Sequence, residues 1–215
     1  MAKADLTKSH IAETFKKLAA QQHLRRISVR DIIQASDINR NTFYYHFSDK
    51  MDLVVWIFRS EFGEVMLENF QEEILICNTE VIGEKYVDFP FYIDTRSETN
   101  NLDLGEFWTL MGAYFLGQVN YYNHVLCSED CDSLGDYLFK IYFKQLRKDI
   151  LYAIGNKTPP ENEITFLAGY FTNACVNYII NAMKHIDPYQ MEHPSNLDKY
   201  SNISHSLIKH VCSKI

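Results

Sequence analysis

The sequence predicts an all-α protein. Apolar residues recur three and four positions apart in successive blocks of its 215 residues, helix-capping side chains stand just ahead of several blocks, and only 8 Gly and 5 Pro interrupt them. The expected organisation is a three-helix unit over residues 1–49 followed by a larger helical unit over 50–215. A chain that is 47% hydrophobic, 14% aromatic and 23% charged buries a sizeable core and is neither disordered nor collagenous.

Ile11, Phe15, Leu18 and Ala19 follow an i, i+4, i+7, i+8 pattern, so Thr7 to about Gln22 reads as an amphipathic helix. Val29, Ile32 and Ile33 make a second, short helix that opens on the capping pattern of Ser28 and Asp31. It should stop near Ser36, where Asp37 tolerates the left-handed conformation that opens a turn. Asn39 suits the N-cap of a third helix with Phe43 and Phe47 on its core side. Steps of about 100° per residue put Asn41, Thr42 and Tyr45 opposite that pair and Tyr44 and His46 on the flanks. Ser48 or Asp49 caps a fourth helix whose stripe is Leu53, Val54, Ile57, Phe58 and Phe62.

Two short helices joined by a tight turn and set on a third make a helix-turn-helix, whose second member enters a major groove. The net charge of −7 argues against a nucleic-acid partner until it is divided. Residues 1–62 hold 10 Lys+Arg and 7 Asp+Glu, net +3, whereas 63–215 hold 11 and 21, net −10. The outward residues suit double-stranded DNA, because Asn pairs with adenine, Thr meets a thymine methyl, and Tyr44, His46 and Lys50 reach phosphates. The plainer alternative is that Tyr and His merely rim a small core.

The run Ile27 to Lys50, and above all Thr42-Phe-Tyr-Tyr-His-Phe47 followed closely by Lys50, resembles the DNA-binding segment of the TetR family of transcriptional regulators. The likeness covers roughly residues 8–62. It implies that Ser28 and Arg30 lie near the DNA backbone, that Arg40, Asn41, Thr42 and Tyr45 face bases, and that Tyr44, His46 and Lys50 hold phosphates. Asp37 and Asn41 stand where many members have Gly, so the operator cannot be copied from a relative.

Beyond the head, the fourth helix should run from Lys50 towards Ile76, and 78–103 reads as irregular with one short helix. Leu104–Leu126 and Tyr137–Ile154 read as helices. The next begins at the Thr158 to Glu161 capping box and runs to about His185, and a last helix covers Asn202–Ser213. Phe107–Ser128 and Ile164–Met183 carry no charged residue, but their amides make a membrane span costly, so burial by protein is expected instead. The strip Ala168, Gly169, Thr172 and Cys175 and the stripe Asn173, Asn177 and Asn181 are expected at a homodimer interface, since the resemblance implies pairing through the last two long helices. Aromatic residues are dense in this part, and Trp108, Met111, Tyr114, Phe115, Tyr142, Phe166 and Tyr170 are expected to line a pocket for a small apolar or aromatic effector. An ordinary aromatic core is the alternative for each of them.

Five cysteines without paired spacing fit a reducing, cytoplasmic setting, and the N-terminus lacks the apolar run of a signal peptide. No cofactor is expected, and no phosphate loop, dinucleotide fingerprint or nucleophile elbow marks an enzyme. Cys127 and Cys131 among acidic residues keep metal sensing open, although they do not make up the four compactly spaced ligands of a structural zinc site. The expectation is therefore a homodimeric repressor on a palindromic operator, controlled by an effector in the C-terminal part. The alternative is a C-terminal part that answers to a metal ion or docks a protein co-regulator.

Overall fold

The computed structural model describes residues 3–81, 83–94, 105–126 and 133–185. Among them it is all-α, with helices α1 (Lys3–Ala19), α2 (Val29–Ala35), α3 (Arg40–His46), α4 (Lys50–Asn69), α5 (Gly105–Gly117), α6 (Val119–Leu126), α7 (Leu134–Ile154) and α8 (Glu161–His185). Residues 186–215, with the expected helix Asn202–Ser213, and the Cys127–Cys131 pair lie outside what is described.

The head folds on the stripe read from its sequence. Ile11, Phe15, Ala19, Leu24, Ile27, Ile32, Phe43, Phe47, Leu53, Val54 and Ile57 are buried together. At the start of α2, the Ser28 side chain accepts from the Asp31 N–H while the Asp31 carboxylate takes the Ser28 N–H at 2.8 Å. Asp37 has φ 51, the left-handed turn expected there. Asn39 Oδ1 accepts from the Thr42 N–H at 2.8 Å, and Asp49 Oδ1 accepts from the Asp52 N–H at 2.8 Å. Each cap takes up a donor that the first turn of a helix leaves open.

Helix α4 belongs to both parts. Its first half packs on the head, with Trp56 edge-on to Phe47 at 5.7 Å, and its second half stacks Phe58 on Phe115 at 5.7 Å and sets Phe62 against Phe107 at 6.0 Å. It ends at Asn69, short of Ile76. Leu75 and Ile76 instead pair antiparallel with Ile93 and Tyr92, because the buried Phe91, Tyr92 and Ile93 offer a ladder partner that a longer helix would forgo. The segment 83–94 accordingly holds no helix, and the rest of 78–103, where a short one is expected, lies largely outside the described residues.

Arg59 holds that returning segment on α4. It is 1% exposed and donates to the Tyr86 carbonyl at 2.7 Å, to the Phe89 and Cys77 carbonyls, and to the Tyr137 hydroxyl at 2.9 Å. Its charge is met by Glu84 at 3.5 Å and by the Phe91 ring face at 5.3 Å. Two helical turns earlier, Asp52 accepts from Lys85 at 2.8 Å and from the Tyr86 hydroxyl at 2.6 Å. Burial pushes the Asp52 carboxyl up, and the hydrogen bonds from Lys85, Tyr86 and Ser48 outweigh it and hold it below the ordinary range.

The helix expected over Leu104–Leu126 breaks at Gly117 and Gln118, where the Gln118 carbonyl caps α6 by accepting from the Tyr121 and Tyr122 N–H groups, each at 3.0 Å. Helices α7 and α8 form an antiparallel hairpin. Gly135 lets α7 approach so closely that a Cβ there would stand 2.8 Å from Ile180, and at the other end Arg147 pairs with Glu161 at 2.6 Å. The Thr158 cap does not form. Consecutive prolines disfavour helical backbone at the preceding residues, and α8 opens at Glu161 with the Pro160 carbonyl taking the Glu163 N–H at 3.0 Å.

Two substitutions test this frame. Arg59→Met leaves Glu84 and the strap carbonyls buried without their donor, and chemical denaturation should show a loss of about 3–5 kcal/mol. Asn39→Ala removes one cap and should cost about 1 kcal/mol by the same measurement. An Arg59→Met protein as stable as the parent would show that the strap is held by other contacts.

Candidate nucleic-acid interface

Helix α3 stands on Phe43 and Phe47, both buried, and turns Arg40, Asn41, Tyr44 and Tyr45 to solvent. Tyr45 is 80% exposed, and with Tyr44 at 45% it gives the outward side of α3 two aromatic rings. Arg40 lies over the Tyr44 ring at 5.4 Å, which aligns the guanidinium beside the phenol. Thr42 is half-buried, and its hydroxyl donates to Asn39 Oδ1 at 3.1 Å, so the cap uses the hydroxyl.

The flanking residues differ more from expectation. Ser28 is exposed, but its hydroxyl donates to Asp31 at 2.7 Å, and Arg30 is exposed beside it on α2. His46 is half-buried, and burial, with Lys8 nearby, pushes its imidazole below the ordinary range and keeps it neutral near pH 7. Lys50 does not stand free towards solvent. Its ammonium donates to the Leu24 carbonyl at 2.8 Å and the Ile27 carbonyl at 2.9 Å.

The expected effector lining divides into two groups. Trp108, Met111, Tyr114, Phe115 and Tyr142 are buried in one aromatic core with Phe107 and Tyr92. Phe166 and Tyr170 do not join them. They are 68% and 58% exposed on the open face of α8, stacked on each other at 6.3 Å, because the i, i+4 step that pairs them puts them on the side of α8 away from α7. The core also holds Asp149, which accepts from the Gln145 amide at 3.2 Å and, together with burial, keeps the Tyr92 phenol well above its ordinary range.

The expected interface residues divide in the same way. Ala168 and Thr172 are fully buried against their own subunit, Gly169 faces Phe143 at 3.8 Å, and burial of Cys175 pushes its thiol up to about 12. The small-residue strip therefore seats α8 on α7 within the subunit. Asn173, Asn177 and Asn181 are exposed, and the first two bond along their own helix: Asn173 donates to the Gly169 carbonyl at 3.0 Å and Asn177 to Asn173 at 3.2 Å.

Periodicity alone did not single out the polar joint between head and body. Lys16 of α1 donates to Glu61 of α4 at 2.6 Å and to Gln118 at 2.6 Å. The Tyr114 hydroxyl reaches Glu61 at 3.2 Å and the Tyr122 hydroxyl at 2.5 Å, and His124 of α6 meets the Ala19 carbonyl at 2.6 Å. The available signal was a charge inside an apolar run, as at Glu61 and Arg59.

Among the described residues no helix is long and apolar enough to cross a membrane, and no three His, Cys, Asp or Glu side chains converge as metal ligands.

Residues 11–56 match the family described as bacterial regulatory proteins, tetR family. The HTH-type dhaKLM operon transcriptional activator DhaS of Lactococcus lactis subsp. lactis (strain IL1403) is 37% identical over 81 residues, covering 35% of this chain and 43% of that protein. The HTH-type transcriptional regulator AcrR of Shigella flexneri is 35% identical over 68 residues, covering 30% of this chain and 32% of that protein. The matched stretches thus span less than half of either curated relative. Over 97% of both chains the fold is similar to that of a dihydroxyacetone kinase operon activator DhaS, at a TM-score of 0.56 and 18% identity. It is also similar to a TetR transcriptional regulator from Streptococcus agalactiae 2603V, at 0.55 and 16% over 96% of this chain and 95% of that one. With the matched head, its caps and the outward face of α3 in place, residues 11–56 are similar to the TetR family of bacterial regulatory proteins.

Proposed function

We propose that this protein is a transcriptional regulator, not an enzyme, which binds double-stranded DNA through α3 and works in the cytoplasm as a homodimer on a palindromic operator. The outward set on α3 carries this reading: Arg40, Asn41, Tyr44 and Tyr45 project from a rigid phenylalanine base in the part of the chain that carries net positive charge. The partner surface is the open face of α8, where Phe166 and Tyr170 supply apolar area and the asparagine stripe supplies amides. Two-fold pairing there places two heads on one side of a duplex.

The effector reading rests on the aromatic core around Trp108, Met111, Tyr114, Phe115 and Tyr142, in which Asp149 and Gln145 supply polar anchors. A small aromatic or apolar molecule that parts these rings would displace Tyr114, and with it the Glu61 to Lys16 link to α1. A coupling of roughly 1–3 kcal/mol is enough to change operator occupancy severalfold or more. Repression is the proposed outcome, with the operator overlapping the promoter. An operator mapped upstream of the promoter would instead favour activation, the role named for the Lactococcus relative.

Selection of bound fragments from random duplex DNA should enrich a palindrome, and no enrichment would overturn the DNA-binding reading. Asn41→Ala and Tyr45→Ala should relax base preference by about 1–3 kcal/mol per lost contact, measured by competition between the selected site and single-base variants. His46 gives two pH effects of opposite sign. Its depressed pKa means that the unfolded chain takes up a proton first, so stability should fall as pH drops below the ordinary histidine value. A neighbouring phosphate favours the protonated ring, so operator affinity should rise over the same interval. Titrations at pH 7.5 and 6.0, as round values either side of about 6.5, should show both trends, and His46→Gln should flatten both.

A further inference from the structure

We propose that Lys8 of α1 is a phosphate contact of the DNA interface, paired with His46 at the end of α3; this rests on the DNA-binding reading above. Lys8 lies ahead of the matched residues 11–56 and outside the two helices of the helix-turn-helix. The fold carries it to their edge. Its ammonium stands over the Trp56 ring, 5.9 Å from the ring centre, and Trp56 of α4 is itself edge-on to Phe47, the C-cap of α3. His46, the residue before that cap, is close enough to feel the Lys8 charge. A cation from α1 and an imidazole from α3 therefore share one place at the exit of the helix that enters the groove. Such a helix has a phosphate strand along each flank, so groups beside its end meet backbone rather than base edges.

The two groups divide the work of holding an anion. Burial first, and then the Lys8 charge, keep the His46 imidazole below its ordinary range, so near pH 7 it offers a neutral N–H donor. A neutral donor fixes the position of a phosphate oxygen but releases no counterion. Lys8 supplies the missing charge. It is half-buried, and among the described residues its ammonium makes no hydrogen bond and no ion pair. The indole face steadies the cation and its stem without providing an acceptor, which leaves the N–H groups for phosphate oxygens. Lys16, two turns further along α1, shows the contrast: its ammonium is taken up by Glu61 and Gln118.

Salt dependence separates the charged partner from the neutral one. Operator affinity is measured over a range of salt concentrations at about pH 7.5, above the ordinary histidine value. Lys8→Gln should lower the slope of log affinity against log salt by about 0.9, which weakens binding about eightfold at about 0.1 M salt. Lys8→Arg should keep the parent slope, and His46→Gln should weaken binding without changing it. Lys17→Gln removes the same charge from an exposed site about 13 Å further along α1 and should bind like the parent. A parent slope in Lys8→Gln, or an equal fall in Lys17→Gln, overturns the proposal. The pairing is also read without DNA: followed by NMR, the His46 ring should titrate at a higher pH in Lys8→Gln than in the parent, and an unchanged midpoint overturns the pair. Should Lys8→Gln fail to fold, amine labelling of the parent decides, because operator DNA should slow labelling of Lys8, and labelling that DNA leaves unchanged overturns the contact. A parent that binds no duplex ends the DNA-binding reading and this contact with it, whereas a parent that binds and a Lys8→Gln that matches it end the contact alone.

Discussion

A single buried cation organises the joint around which the rest of the fold is arranged. Arg59 sits mid-way along α4 and is 1% exposed, and a charge there persists only with hydrogen-bonding and charged partners around it. Those partners come from elsewhere: three carbonyls and Glu84 from the strap after α4, and the Tyr137 hydroxyl from the first turn of α7. The same helix carries the head on its first half. Whatever moves α7 or the strap therefore acts on the element that carries the DNA-facing surface, and the rigidity of that element follows from how much it costs to unpair a buried guanidinium.

The second joint, from Lys16 through Glu61 to Tyr114 and Tyr122, differs in character. Lys16 and Glu61 keep 26% and 31% of their side chains exposed, so this link is wetter and weaker than the one at Arg59. A stiff pivot and a softer latch on the same helix suit a head that swings without detaching. The aromatic core lies beside the latch through Tyr114, which is where the effector proposed above would have leverage.

The head was legible in the sequence because its determinants are local. Caps at Ser28, Asn39 and Asp49 act within three residues, Asp37 supports its own turn, and Phe43 and Phe47 identify the buried side of a seven-residue helix by spacing alone. What spacing could not supply was the partner of each polar group. Lys50 and Thr42 look like free donors until chain 26 residues upstream, or the neighbouring cap, claims them. In the body, the uncharged stretch 164–183 of α8 led to an expectation of burial on more than one side, but did not say which side meets α7. The small residues at Ala168 and Thr172 proved to be the inner face, and Phe166 and Tyr170 the outer one. The strap after α4 was missed because a two-residue β-bridge leaves no periodic trace.

The asparagine ladder on α8 bears on the order of events during assembly. Amides that bond to the turn below them along their own helix need neither water nor a neighbour to satisfy those donors. Such a face can stay wet while the chain leaves the ribosome and can later be covered without stranding those donors, so each subunit is able to finish folding before it meets another. In the homodimer proposed above, pairing would then be a late, concentration-dependent step, and the amount of protein present would be a control in its own right over how many complete readers of DNA exist.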